Sequence, residues 1–173
     1  MTHNNFMTLK TPICPQDTLS NHLCIVCQAK LKKNMITELD VKVAQSIGKL
    51  SKNFPITSVE FKKAIDLEQL LVLACTGNMG ALIGSKGHIV LELSKLLGKK
   101  TRIIEYTKNE KKMAQDLIGN ARVLGLKKIF APGSIECQII VPEQDKKMFS
   151  APKQNLENGL KELFKTKTTI IFE

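Results

Sequence analysis

Leu82-Ile83-Gly84-Ser85-Lys86-Gly87-His88-Ile89-Val90 is an apolar run that closes on Gly-x-x-Gly and reopens as an amphipathic helix. Gly84 and Gly87 lack Cβ atoms, so this turn can take φ > 0 and admit another backbone closely. The helix that follows offers free N-terminal N–H groups. Lys86 sets a mobile positive charge between the two glycines. Such a cradle suits a phosphate. The same four residues also occur in ordinary helix–turn–helix connections, so the flanks decide.

Downstream, Ile89, Val90, Leu93, Leu96 and Leu97 recur at helical spacing and predict one buried helical face, with Gly98 in place for a C-cap. Thr101-Arg102-Ile103-Ile104-Glu105-Tyr106 is β-branched and short, and predicts a strand. Upstream, Leu70 to Cys75 is a continuous apolar run bounded by Thr76-Gly77-Asn78, the pattern of a buried strand, and Met79 to Ile83 fits one short helix. Earlier still, Leu39, Val43, Ile47 and Leu50 mark a helix over Ile36–Asn53, stopped by Asn53-Phe54-Pro55. The expected order is helix, strand, strand, helix, Gly-x-x-Gly, helix, strand.

This order, with Ile83-Gly84-Ser85-Lys86-Gly87 and Val90 three positions on, resembles a KH domain of the type II arrangement. Gly98-Lys99-Lys100 followed by Ile103-Ile104-Glu105-Tyr106 is similar to the corresponding segment of archaeal NusA-type transcription factors, whose KH domains come in tandem. A tandem family implies a second copy, and an offset of 66 finds one: it carries Leu73-Ala74-Cys75 onto Ile139-Ile140-Val141, Val90 onto Leu156, Leu97 onto Leu163 and Ile103–Tyr106 onto Thr169–Phe172. Asn109–Ile118, with Met113, Leu117 and Ile118 apolar, is the counterpart of the leading helix. At the second loop the same offset sets Ser150-Ala151-Pro152-Lys153 where Gly84 to Gly87 stood, so both glycines are lost. Pro152 fixes φ and Lys153 carries a Cβ, which hinders close approach of a phosphate chain. The alternative is that Pro132-Gly133-Ser134 and Ala151-Pro152 only punctuate an unrelated α+β domain. The expected fold is therefore α+β: a Cys-containing N-terminal segment (1–33), a KH domain with the GxxG loop (34–107) and a degenerate KH-like domain (108–173). Each domain would carry a three-stranded sheet with helices on one face.

Composition agrees with this. The 173 residues are 43% hydrophobic, enough for two small cores. No apolar stretch reaches the length of a membrane span and Met1–Lys10 lacks a signal-peptide core, so a soluble, cytoplasmic chain with no membrane partner is expected. The net charge of +10 favours a polyanionic partner, and lysine supplies nearly all of it. Lys86 lies in the loop, Lys95 on the polar side of the next helix, and Lys99, Lys100 and Arg102 at the helix-to-strand turn. Each of these also fits a plain solvated face. Lys146, Lys147, Lys153, Lys161, Lys165 and Lys167 bracket the second loop. With no Trp and one Tyr, a base-stacking platform of the kind used by aromatic sheet readers is not visible.

The KH resemblance implies a groove for about four unpaired nucleotides. Ile83 and Val90 would line its floor, which is equally compatible with core packing. Gly84, Ser85, Lys86, Gly87 and His88 would face the phosphates, with Lys95, Lys99, Lys100 and Arg102 adding charge. The segment from Arg102 to Tyr106 would lie near its strand wall.

Cys14, Cys24 and Cys27 form a separate signal: one CxxC pair and a third thiol upstream, with His22 two places before the pair. Three thiolates and an imidazole would complete a tetrahedral site for one structural zinc. The short spacing between His22 and Cys24 argues against joint coordination; His3 and Asp17 are poorer candidates for the fourth ligand, which a solvent molecule or a partner could also supply. Alternatively, Cys24 and Cys27 are small apolar residues beside Ile25-Val26. A redox CxxC would want a following helix in a βαβ context, which is not evident in the sequence. Cys75 and Cys137, in apolar runs, are expected to be inert core residues.

No His–carboxylate pair, GxSxG elbow, P-loop or Rossmann fingerprint is present, and three histidines leave little material for acid–base work, so no enzyme is expected. By resemblance, the expected function is that of a nonenzymatic single-stranded RNA-binding protein, a NusA-like transcription elongation and termination factor that contacts nascent RNA through the loop of its first KH domain. From a different class, the alternative is a zinc-stabilised protein-interaction adaptor of RNA polymerase or the ribosome that uses its KH units as scaffold.

Overall fold

A computed structural model describes residues 9–173; His3, one of the alternative ligands, lies outside them. The elements run α1 (Pro15–Leu19), α2 (Ile25–Lys32), α3 (Glu38–Ser51), β1 (Val59–Asp66), β2 (Leu70–Gly77), α4 (Met79–Ile83), α5 (His88–Leu97), β3 (Lys100–Glu105), α6 (Glu110–Ile118), β4 (Gly125–Ala131), β5 (Ser134–Val141), α7 (Lys153–Phe164) and β6 (Lys167–Phe172), with 3₁₀ turns at Ser85–Gly87 and Glu143–Met148. The result is a mixed α+β chain with two three-stranded sheets, ordered β1-β2-β3 and β4-β5-β6, compatible with the tandem KH-like order expected. In the second sheet β4 and β5 pair antiparallel and β5 and β6 pair parallel. Among the described residues no helix is long and apolar enough to cross a membrane.

The chain divides into two compact units. The first holds the described residues up to Ala64 together with Leu73–Ile103, and the second holds Ile65–Val72 together with Ile104–Glu173. The tip of the β1–β2 hairpin, from the end of β1 to the start of β2, thus groups with the second unit. Its apolar residues explain why: a Cβ added to Gly159 of α7 would come within 3.0 Å of Ile65, 3.1 Å of Leu67 and 3.2 Å of Leu117. Leu67 and Leu117 are both fully buried.

In the first unit α3 begins one residue after Thr37, whose hydroxyl accepts the Asp40 N–H while Asp40 accepts the Thr37 N–H. This reciprocal cap satisfies two donors that the helix start would otherwise strand. The other Asp40 oxygen accepts the Ala64 N–H at 2.8 Å and so ties α3 to β1. Val43, Ala44 and Ile47 bury the inner face of α3, and Ile89, Leu93 and Leu97 bury that of α5. Leu96, expected on that buried face, is exposed, and Val90 is only half-buried. Residues four apart stack on one line of a helix, and the line through Ile89, Leu93 and Leu97 leaves Leu96 beside it.

The second unit repeats the order with local changes. Asn109 caps α6 through the Lys112 N–H. Where the first copy has α4, the second has the 3₁₀ turn Glu143–Met148. Buried Asp145 in that turn accepts from the Arg122 guanidinium at 2.9 and 3.2 Å and from the Arg122 N–H at 3.0 Å. The hydrogen bonds from the Arg122 side chain, then from its backbone, hold this carboxyl below the usual aspartate range.

Candidate functional site

The Gly84–Gly87 turn joins α4 to α5, and both glycines have positive φ, +77° and +76°. Gly84 is also required by space, because a Cβ there would sit 2.6 Å from the Ile89 Cγ1 and 2.9 Å from the Ile89 N. Gly87 has room around it, its nearest neighbour being the Val90 Cγ1 at 3.7 Å, so only its backbone angle favours glycine there. Between them Lys86 takes φ +52°, a conformation that costs a side-chain-bearing residue on the order of 1 kcal/mol. Ser85 and Lys86 are exposed, and among the described residues Lys86 has no ion-pair partner. The turn is a tight, strained backbone that carries an outward cation.

The other expected residues distribute as follows. Ile83 is exposed at 38% beside the half-buried Val90. His88 opens α5 with its ring edge-on to Phe54, centroids 5.6 Å apart. Lys95 is paired to Glu92 at 2.6 Å, which cancels part of its charge within the helix. Lys100 is exposed at the start of β3, while Lys99 and Arg102 are half-buried and each engaged by a neighbour. The Thr101 N–H donates to the Ser94 hydroxyl, which itself donates to the Val90 carbonyl, so the start of β3 is pinned to the helix that leaves the loop.

At the corresponding place in the second unit, Ser150 is bound inward: its N–H donates to the Ile118 carbonyl and its hydroxyl to the Leu117 carbonyl. Pro152 caps α7, and Lys153 lies 5.3 Å from the centre of the Phe172 ring and 3.6 Å from Glu157. Lys146 lies over the same ring at 5.2 Å, and Phe149 stacks on it. A depression of about 520 Å³ lined by Asn158, Lys161, Glu162, Lys165, Thr166 and Lys167 lies between the end of α7 and β6.

Before the first sheet, Cys14, Asp17, Cys24 and Cys27 bring one sulfur or carboxylate oxygen each within 4.8 Å of one another. Cys14 caps α1 and Asp17 is its third residue, and Cys24 caps α2 with Cys27 as its third residue. The three expected thiols do come together. His22 does not join them: it is exposed in the connection between α1 and α2, where its N–H donates to the Ser20 hydroxyl. Asp17 takes that place, buried at 5% exposure and accepting the Cys24 N–H at 2.9 Å. The sequence carries its signal: Asp17 follows Cys14 at the spacing by which Cys27 follows Cys24. A helix does follow Cys24, α2, but outside the βαβ context that a redox CxxC would want. Burial disfavours ionised Asp17, yet hydrogen bonds from the Cys27 thiol, the Cys24 N–H and the other two thiols outweigh it and bring the carboxyl down to about 2. Burial pushes the Cys27 thiol up to about 12, against the Cys14 N–H that favours its thiolate. Cys75 and Cys137 are buried, and burial alone takes the Cys75 thiol up to about 12.

No family model matches the chain, and no curated protein matches it. A solved structure described as "Crystal structure of APE1850" is similar to it, with a TM-score of 0.55 at 20% sequence identity, covering 75% of this chain and 96% of that one. At that identity the likeness shows the fold alone.

Proposed function

We propose that the chain is a nonenzymatic single-stranded RNA-binding protein built from two type II KH-like units, of the kind used by NusA-like transcription elongation and termination factors. Nascent RNA would lie against the Gly84–Gly87 turn. The observation that carries this reading is the turn itself: two glycines at positive φ and an outward Lys86 in a strained conformation, all exposed or half-exposed. Exposed Ile83 beside the turn offers an apolar surface to bases, and Lys100 a second cation. The test is to replace Ser85 and Lys86 by Asp, which leaves both glycines in place, and to measure binding of an unstructured RNA oligonucleotide by fluorescence anisotropy at fixed salt. Unchanged affinity in a folded variant sinks the reading.

A second reading, a zinc-stabilised adaptor of RNA polymerase or the ribosome, is favoured by one observation. Ile25 and Val26, between two of the clustered cysteines, are 84% and 65% exposed, an apolar pair presented outward from α2. Crosslinking in cells separates the two: RNA adducts at Lys86 support the first, and protein adducts alone, near Cys24 to Lys33, support the second.

A further inference from the structure

The N-terminal cysteine group is built more completely than an adventitious cluster. Two sulfurs bound to one tetrahedral zinc at about 2.3 Å each lie about 3.8 Å apart by geometry. The Cys14 and Cys24 sulfurs lie 3.9 Å apart, far beyond disulfide length. The Cys14 N–H donates to the Cys27 sulfur at 3.3 Å and the Cys24 N–H to the Asp17 carboxylate at 2.9 Å, so backbone groups of one pair orient the ligand atoms of the other. Asp17 is a buried carboxylate set among three thiols, and an ion that displaced the thiol protons would find four anionic ligand atoms within 4.8 Å of one another. Three soft sulfurs and one carboxylate suit zinc over magnesium or calcium, which favour all-oxygen sites.

We propose that Cys14, Asp17, Cys24 and Cys27 form a closed tetrahedral zinc site, with the Asp17 carboxylate as its fourth ligand, that keeps the N-terminal segment folded on α3. This deepens the zinc half of the adaptor reading and is independent of RNA binding. The two helices that supply the ligands are short, five and eight residues, and would be marginal alone. The only deeply buried hydrophobic residue that α2 contributes is a ligand, Cys27. Its partner α1 lies against α3 at Gly48, where a Cβ would come 2.0 Å from the Thr18 carbonyl oxygen. One ion joining both helix starts therefore supplies the cohesion that so small an apolar core lacks.

The experiment uses the full chain, purified under reducing conditions without chelator. Metal analysis should find about one zinc per chain, and competition with a chromophoric zinc chelator should show that Asp17→Ala weakens Zn²⁺ binding by at least about 100-fold while His22→Ala leaves it unchanged. Asp17→Cys, which restores a fourth ligand, should hold zinc at least as tightly as the parent and guards against simple misfolding of the alanine variant. Chelation should remove hydrogen-exchange protection from α1 and α2 and spare the strands. Zinc well below half an equivalent, with no Zn²⁺ taken up in competition, overturns the site and with it the zinc half of the adaptor reading. Full zinc with unaltered affinity in Asp17→Ala overturns Asp17 as ligand and leaves that reading standing.

Discussion

The turns at Gly84–Gly87 and Ser150–Lys153 stand at the same place in two runs of one strand, strand, helix, strand order, and they differ in opposite directions. The first is open, with both glycines at positive φ and Lys86 pointing away from the fold. The second is closed on itself: Ser150 bonds to the carbonyls of Leu117 and Ile118, and Lys153 is drawn to Glu157 and the Phe172 ring. The cores diverge less. Leu97 and Leu163 are both buried, and Val90, half-buried, answers to the fully buried Leu156. The apolar positions that hold each unit together can therefore match while the turns differ, because the two depend on different residues.

The largest expected effect probes the cores. Leu93 is fully buried in α5, and Leu93→Ala should cost about 2–5 kcal/mol of stability in denaturant unfolding, from lost burial and the cavity left behind. A loss under about 1 kcal/mol would mean that α5 does not anchor the first unit.

The loops come next. Ser85→Asp with Lys86→Asp sets two negative charges where a phosphate chain should lie and should cost about 2–3 kcal/mol, roughly 30- to 150-fold in RNA affinity. Ala151→Asp with Pro152→Asp should weaken binding far less. Equal losses in the two variants would replace loop recognition by diffuse attraction to a basic surface.

A smaller effect lies at a buried position where the copies differ sharply in size. The offset that aligns them carries Leu93 onto Gly159, whose absent Cβ makes room for Ile65, Leu67 and Leu117. Writing the first copy's residue into the second, Gly159→Leu, should overpack that helix and cost about 1–3 kcal/mol, read as a fall in the midpoint of chemical unfolding. A stabilised variant would show that the turn Ile65–Val72 is loosely held.

Smallest, and confined to the second unit, is a dependence on acid. Arg122 holds the Asp145 carboxyl below its unfolded value of about 3.9, so the pair stabilises the unit above that pH and the contribution fades as pH falls through the lowered folded value. The difference in Tm between parent and Arg122→Gln should be present at pH 7 and shrink below pH 4. A difference that grows on acidification would assign the stabilisation to another group.

Much of this was legible in the chain itself. Periodicity marked α3, α5 and α6 to within about two residues, apolar and β-branched runs marked β2, β3 and β6, and the spacing Gly84 to Gly87 marked a turn whose φ only glycine reaches easily, because each is a local property of neighbouring residues. The self-match at one offset likewise anticipated a second unit with a three-stranded sheet. Tertiary structure decided the rest. That Asp17 and not His22 joins the three cysteines depends on how two short helices meet: the shared spacing after Cys14 and Cys24 nominates Asp17, and only their packing selects it. That the turn Ile65–Val72 joins the second unit depends on a missing Cβ at Gly159, far away in sequence. That Leu96 faces outward while Leu97 is buried depends on which line of α5 the rest of the unit covers. Local patterns fix which residues can form an element, whereas its neighbours are chosen by long-range packing, and only there do distant residues acquire a shared chemistry.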